Sequence, residues 1–158
     1  MKFKSIIFSF LIFTIFLSSS IPYSKNSLII GQKIDSVENI ISHNSSDDLK
    51  KHVLINFWSI SDAESRIQNK RLSDLTNKCE GRIRYISICT DSDEKISSEI
   101  LKNEIKDETG LYLFSKDIDN EIFKIFQTSK GMRHFLLDEN FKLMNVEPDN
   151  ETIESILG

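Results

Sequence analysis

The sequence predicts an α/β fold, a three-layer α/β/α sandwich built around a central mixed sheet. Three observations carry that prediction. VLINFW (53–58) and RIRYISIC (82–89) are apolar runs of strand length, as expected of strands covered on both faces. Amphipathic helical patterns alternate with these runs. Near the end, FLL (135–137), the turn DEN (138–140) and FKLMNV (141–146) read as a closing antiparallel hairpin.

The elements follow in chain order. Leu28 to Ile34 holds a short apolar strand, LII, interrupted by Gly31, and Val37 to Ile41 is another short apolar run before the polar loop 42–48. Val53 to Trp58 is the first core strand. The helix after it starts at SDAE, where Ser61 and Glu64 have the spacing of a reciprocal capping box. Ala63, Ile67, Leu72, Leu75 and Cys79 fall on one face of that helix, and Gly81 ends it. The strand Ile83–Cys89 comes next, then a helix opened by TDSDE with Ile96, Ile100, Leu101 and Ile105 as its apolar face. Leu111–Phe114 is a short strand, and Ile118, Ile122, Phe123 and Phe126 mark a third helix closed near Gly131. Pro148 breaks the chain before a terminal helix lined by Ile153, Ile156 and Leu157. The predicted order is β-β-α-β-α-β-α-β-β-α.

The first 20 residues have the pattern of a signal peptide. Lys2 and Lys4 form a basic start, Ile6 to Leu17 is an apolar run too short to span a bilayer comfortably, and Ser18-Ser19-Ser20 supplies the small residues of a cleavage site. Residues 21–27 then read as a flexible tether and 28–158 as one domain with room for a real core. The expected location is outside the cytoplasm, in the periplasm, with no membrane attachment beyond the cleaved signal.

Lys2 and Lys4 are two of the 20 basic residues, so 18 remain against 24 acidic ones. An acidic balance without a basic face or arm argues against nucleic acid and anionic lipid as partners. His43 and His52 form no metal-ligand spacing, and no cofactor signature is present. Cys79 and Cys89 are the two thiols, and an exported pair invites a disulfide reading. Strand geometry opposes it. The eight residues 82–89 span about 26 Å when extended, whereas bridged Cα atoms lie within about 7 Å. Two isolated, partly buried thiols are therefore expected.

The order of elements, together with VLINFW at 53–58 and KGMRHFLLD at 130–138, resembles the thioredoxin-like fold, in its exported TlpA-like and AhpC/TSA-like branch. The resemblance runs from about Leu28 to Leu157. In that branch the first core strand continues into Cys-x-x-Cys, and a segment ending in Leu-Ile-Asp carries a cis-proline. Asp62 and Ser65 fall on the two cysteine positions here, Arg66 keeps the basic residue after them, and Met132 falls on the proline. A trans peptide bond is expected at Met132, because cis costs a non-proline residue about 3 kcal/mol.

These replacements remove the chemistry that the family implies. A dithiol site works through a thiolate stabilised at a helix N-terminus and a second thiol that resolves the mixed disulfide. A carboxylate at 62 and a hydroxyl at 65 do neither. What remains is a well-capped helix start, with exposed Asp62 and Glu64 available for recognition. Cys89, at the carboxyl end of its strand, is the remaining redox candidate, set against a small buried core residue. His134 neighbours position 132 and stands in this fold within reach of Asp62, set against an ordinary strand histidine.

The functional expectation is thus an exported thioredoxin-fold protein without a dithiol motif, acting as a binding or scaffold module of the cell envelope toward a protein partner. Trp58, Ser61, Asp62, Met132, Arg133 and His134 are its candidate binding face. The alternative is a thiol oxidoreductase or peroxidase-like antioxidant protein using Cys89, and a third reading is an accessory domain of an envelope assembly that makes contact through its acidic surface.

Overall fold

A computed structural model describes residues 28–44, 50–105, 109–118, 122–124 and 133–157. The expected signal peptide (1–20), the tether (21–27) and Met132 lie outside these residues. The elements are α1 (Asp35–Asn44), β1 (His52–Trp58), α2 (Ala63–Lys78), β2 (Ile83–Cys89), α3 (Glu94–Glu104), β3 (Leu111–Phe114), β4 (His134–Leu137), β5 (Leu143–Val146) and α4 (Asn150–Glu154). Short 3₁₀ turns follow β3 and α4, and residues 122–124 are helical.

One five-stranded sheet runs in the order β3-β2-β1-β4-β5. β1, β2 and β3 are parallel, with α2 and α3 as crossovers, while β4 and β5 run antiparallel to their neighbours. The mixed α/β sheet expected from the sequence is therefore present. Because the strand period is two, each central strand sends alternate side chains to opposite layers. Val53 and Ile55 of β1 join Ile86, Ile88, Phe135 and Leu137 beneath α1, in a core that also takes Ile118 and Ile122. Leu54, Tyr85 and Leu136 pack on the other face with Leu72, Leu75 and Cys79 of α2 and Ile153 of α4.

Two expected elements are corrected, and one apolar run finds its place. Val37–Ile41, that run, is part of helix α1. The i, i+4 pair Val37 and Ile41 is fully buried, and Asp35 and Glu38 sit in the first turn, where the helix dipole favours acids. Leu28–Ile34 forms no regular strand, although LII was expected as one. Gly31, at φ 85°, turns the chain so that its N–H reaches Leu143 O at 2.7 Å, and Lys33 makes a single bridge to Lys142. That turn leaves Ile29 and Ile30 64% and 61% exposed.

The second correction concerns α2. Ile67 is 69% exposed and Ala63 is exposed as well, so the buried face is not the apolar line Ala63–Ile67–Leu72. Ser65, Asn69, Leu72, Ser73, Leu75 and Thr76 are buried instead. The reason lies in the sheet beneath. Asn56, Ser87 and Tyr85 project polar groups upward, and Asn69 meets all three: Asn56 Nδ2 at 3.0 Å, Ser87 Oγ at 2.7 Å and Tyr85 OH at 2.6 Å all donate to Asn69 Oδ1. Buried polar atoms need such partners, so they override the apolar periodicity. In α3 the apolar face is likewise thinner than expected: Ile96 is exposed, and Ser97 is the buried residue.

Candidate functional site

β1 delivers the chain to the carboxyl edge of the parallel strands, the crevice side of an open α/β sheet. Trp58 ends that strand, and its carbonyl accepts from Thr90 N–H at 2.9 Å and Thr90 Oγ1 at 3.1 Å, tying β1 to the end of β2. The indole itself is 2% exposed, so Trp58 belongs to the interior and offers no contact surface.

The start of α2 differs by one residue from the expected capping box. Asp62, not Ser61, is the N-cap, with φ −110° and ψ 98°. Its Oδ1 accepts from Glu64 N–H at 3.1 Å and Ser65 N–H at 3.2 Å, two of the N–H groups that have no partner inside the helix. A carboxylate does this better than the hydroxyl of Ser61, because it also meets the positive end of the helix dipole. Ser61 is exposed, and its hydroxyl lies 3.0 Å from Ser59 Oγ. Ser65 is buried. Its hydroxyl donates to Asp62 O at 2.9 Å and accepts from Ser59 N–H at 3.1 Å, closing the loop.

The other oxygen of Asp62 reaches across to the chain entering β4. Arg133 Nη2 lies 2.9 Å from Asp62 Oδ2, with both side chains about a third exposed. Arg133 is fixed in turn: its carbonyl accepts from Phe57 N–H at 2.7 Å, and its own N–H donates to Glu147 Oε1. The expected approach of His134 to Asp62 does not occur, since Arg133 occupies that carboxylate. His134 is buried, not a partly exposed strand residue. Its Nε2 meets Pro148 O at 3.1 Å, and its Nδ1 stands 3.0 Å from Glu147 Oε2 without hydrogen-bond alignment. Arg66, next along α2, pairs with Glu104 and straps α2 to the end of α3.

An Asp62→Ala variant is expected to lose about 1 kcal/mol, the usual worth of an N-cap. The half-exposed ion pair adds little to that. Asp62→Asn should keep most of the cap, and comparing urea midpoints of the two variants separates cap from charge.

Neither thiol is placed for chemistry. Cys89 is 0% exposed, with its sulfur 3.2 Å from Ser97 Oγ and 3.6 Å from Asp91 Oδ2, and burial pushes its pKa above the ordinary value. Cys79 is also fully buried, its Sγ–H donating to Leu75 O at 3.4 Å, and burial raises its pKa too. Both are free cysteines, more deeply buried than the sequence suggested. Folding therefore favours the protonated thiols. Their contribution to stability is complete below about pH 9, the ordinary thiol value, and falls as pH rises past it toward the higher folded values. A Cys89→Ala variant should show a shallower alkaline loss of stability than the parent when unfolding midpoints are followed from pH 8 to pH 10.

Two residues that organise this region were not singled out from the sequence. Asn69 escaped because a polar residue on a helix reads as solvent-facing. Its signal was the spacing Ser65, Asn69, Ser73, a polar i, i+4 row on one side of α2. Asp91 follows the end of β2; its Oδ2 accepts from Ile60 N–H at 2.6 Å and its Oδ1 from Ser59 Oγ at 3.3 Å, which holds the β1–α2 loop. Among the described residues, no group of three or more His, Cys, Asp or Glu side chains converges as a metal site.

Known proteins with this architecture are solved structures. The chain is similar to a thioredoxin-like protein from Parabacteroides distasonis, at 28% identity and a TM-score of 0.61, over 70% of this chain and 82% of that one. The thioredoxin domain of a thiol-disulfide oxidoreductase from Bacteroides vulgatus matches at 16% identity and a TM-score of 0.58, over 84% of this chain and 97% of that one. A thiol:disulfide interchange protein from Bacteroides sp. matches at 16% identity and a TM-score of 0.57, over 85% and 90% of the two chains. No protein-family model matches the sequence, and no curated protein matches it.

Proposed function

We propose that this chain, whose fold is thioredoxin-like, is an exported, non-redox member of the TlpA-like branch and serves as a binding or scaffold module for a protein of the cell envelope. One observation carries the reading. At the position where the branch places its dithiol, Asp62 gives one carboxylate oxygen to the helix N–H groups and the other to Arg133, and the hydroxyl of Ser65 is buried in loop hydrogen bonds. Disulfide exchange needs an accessible thiolate. The thiol alternative would have to act through Cys89, whose burial both hides the sulfur and disfavours the thiolate.

Export rests on the signal-peptide pattern of residues 1–20, and no helix among the described residues is long and apolar enough to cross a membrane. Of the six candidate face residues, Ser61, Asp62 and Arg133 present side chains at the surface, Trp58 and His134 are buried, and Met132 lies outside the described residues. The partner is read as meeting the loop 59–62 and Arg133. A turnover assay on a model disulfide with excess reductant tests the non-redox claim. The native chain is expected to give the uncatalysed rate, and an Asp62→Cys, Ser65→Cys double variant serves as the positive control for the scaffold. Turnover by the native chain above that rate removes the proposal.

A further inference from the structure

Beside this face lies a cleft of about 500 Å³ at the carboxyl ends of β2 and β3, within the size range of ligand pockets. Asp91, Glu94, Phe114, Lys116, Phe123 and Lys124 are among the residues that line it. The two phenylalanines are part-buried, and Phe123 is held edge-on to Phe57 with ring centroids 5.9 Å apart, so one apolar wall is rigidly backed by the core. The charged rim is unequally committed. Glu94 is held by Lys116, and the carboxylate of Asp91 is turned to Ile60 N–H and Ser59 Oγ. Lys124 lines the cleft with no ion-pair partner among the described residues. Through Asp91 the cleft is joined to the loop 59–62, so it is continuous with the face assigned to the partner.

Resting on that assignment, we propose that this cleft is the partner's anchor pocket and takes an aromatic side chain followed in the partner's chain by an acidic residue. The ring sits against Phe114 and Phe123, and the carboxylate meets Lys124. Aromatic anchors in pockets beside the centre of an interface commonly dominate protein recognition. The cleft is open, which suits a side chain presented on a peptide better than a free ligand needing enclosure.

The test is an NMR titration of the full chain with a capped five-residue peptide containing Phe-Asp-Asp. Its comparators have lysines replacing the two acids, alanine replacing the aromatic residue, or are free phenylacetate. Shifts are expected at the amides of Thr90, Asp91, Ser92, Ser115 and Lys116 with the first peptide, and binding about tenfold weaker with either altered peptide. Lys124→Glu, an exposed substitution that leaves the core intact, should reverse the preference between acidic and basic peptides. No shift with the Phe-Asp-Asp peptide, or an unchanged preference in Lys124→Glu, overturns the proposal, as does phenylacetate binding as tightly as the peptide. Disulfide turnover is read separately, so a redox-active chain would remove the reading of the face without altering the result at the cleft.

Discussion

Replacing Asn69 by leucine is expected to destabilise the protein by about 2 to 4 kcal/mol, although leucine is larger and apolar and the site is buried. Three donors converge on Asn69 Oδ1, from Asn56, Ser87 and Tyr85. Removing the shared acceptor strands the buried donors of Asn56 and Ser87, each of which costs about 1 to 3 kcal/mol when left unpaired, while Tyr85 OH keeps the backbone carbonyl of residue 69 at 3.1 Å. Leucine's extra apolar burial offsets only part of that. Tyr85→Phe should cost far less, about 1 kcal/mol, because it removes a donor together with its need. An amide oxygen has two lone pairs, so with three donors competing for it the loss of one leaves the others better served. Urea unfolding of the two variants reads the difference directly. A Tyr85→Phe loss equal to that of Asn69→Leu would mean the cluster is held by packing and not by its shared acceptor.

The second large effect belongs to Phe135→Ala, expected to cost about 3 to 5 kcal/mol, the range for truncating a buried aromatic. Phe135 is fully buried on β4, opposite Ile55 of β1 and Val146 of β5, with its ring edge-on to Phe57 at 6.2 Å. Phe57 in turn backs Phe123, so the cavity opens beneath the wall of the cleft as well as in the main core. Phe135→Leu keeps much of the volume and should lose roughly 1.5 kcal/mol or less. Denaturation midpoints check both values. The alanine variant should also weaken peptide binding at the cleft, whereas the leucine variant should largely retain it.

The legibility of the fold tracks how far each segment depends on its own residues. VLINFW and RIRYISIC announce central strands because burial on both faces leaves no other pattern for them. VENII carries no assignment of its own, because a five-residue apolar run fits strand and helix equally. Val37 and Ile41 are resolved as helical neighbours only by the core they enter. α2 was read correctly in extent and wrongly in orientation. Its buried side is set by Asn56, Tyr85 and Ser87 on strands 13 to 18 residues away in sequence, which local periodicity cannot register.

The site divides in the same way. That a helix opens near position 62 was readable from SDAE, but the pairing of Asp62 Oδ2 with Arg133, 71 residues further along the chain, was not. The same long-range pair is what separates Asp62 from His134. A small buried core residue was one of the two readings of Cys89, and it holds; the contact of its sulfur with Ser97 of α3 could not be read from β2 alone.

The most direct test of a fold without accessible thiol chemistry is the rate at which Cys79 and Cys89 react with a thiol reagent in the native protein at pH 7, relative to the unfolded chain. Both sulfurs are fully buried, so reaction is expected only through transient opening, slower than in the unfolded chain by several orders of magnitude. Peroxide treatment should leave both thiols unmodified under native conditions. Rapid native labelling of Cys89, or its conversion to a sulfenic acid, would contradict the account and favour the thiol alternative.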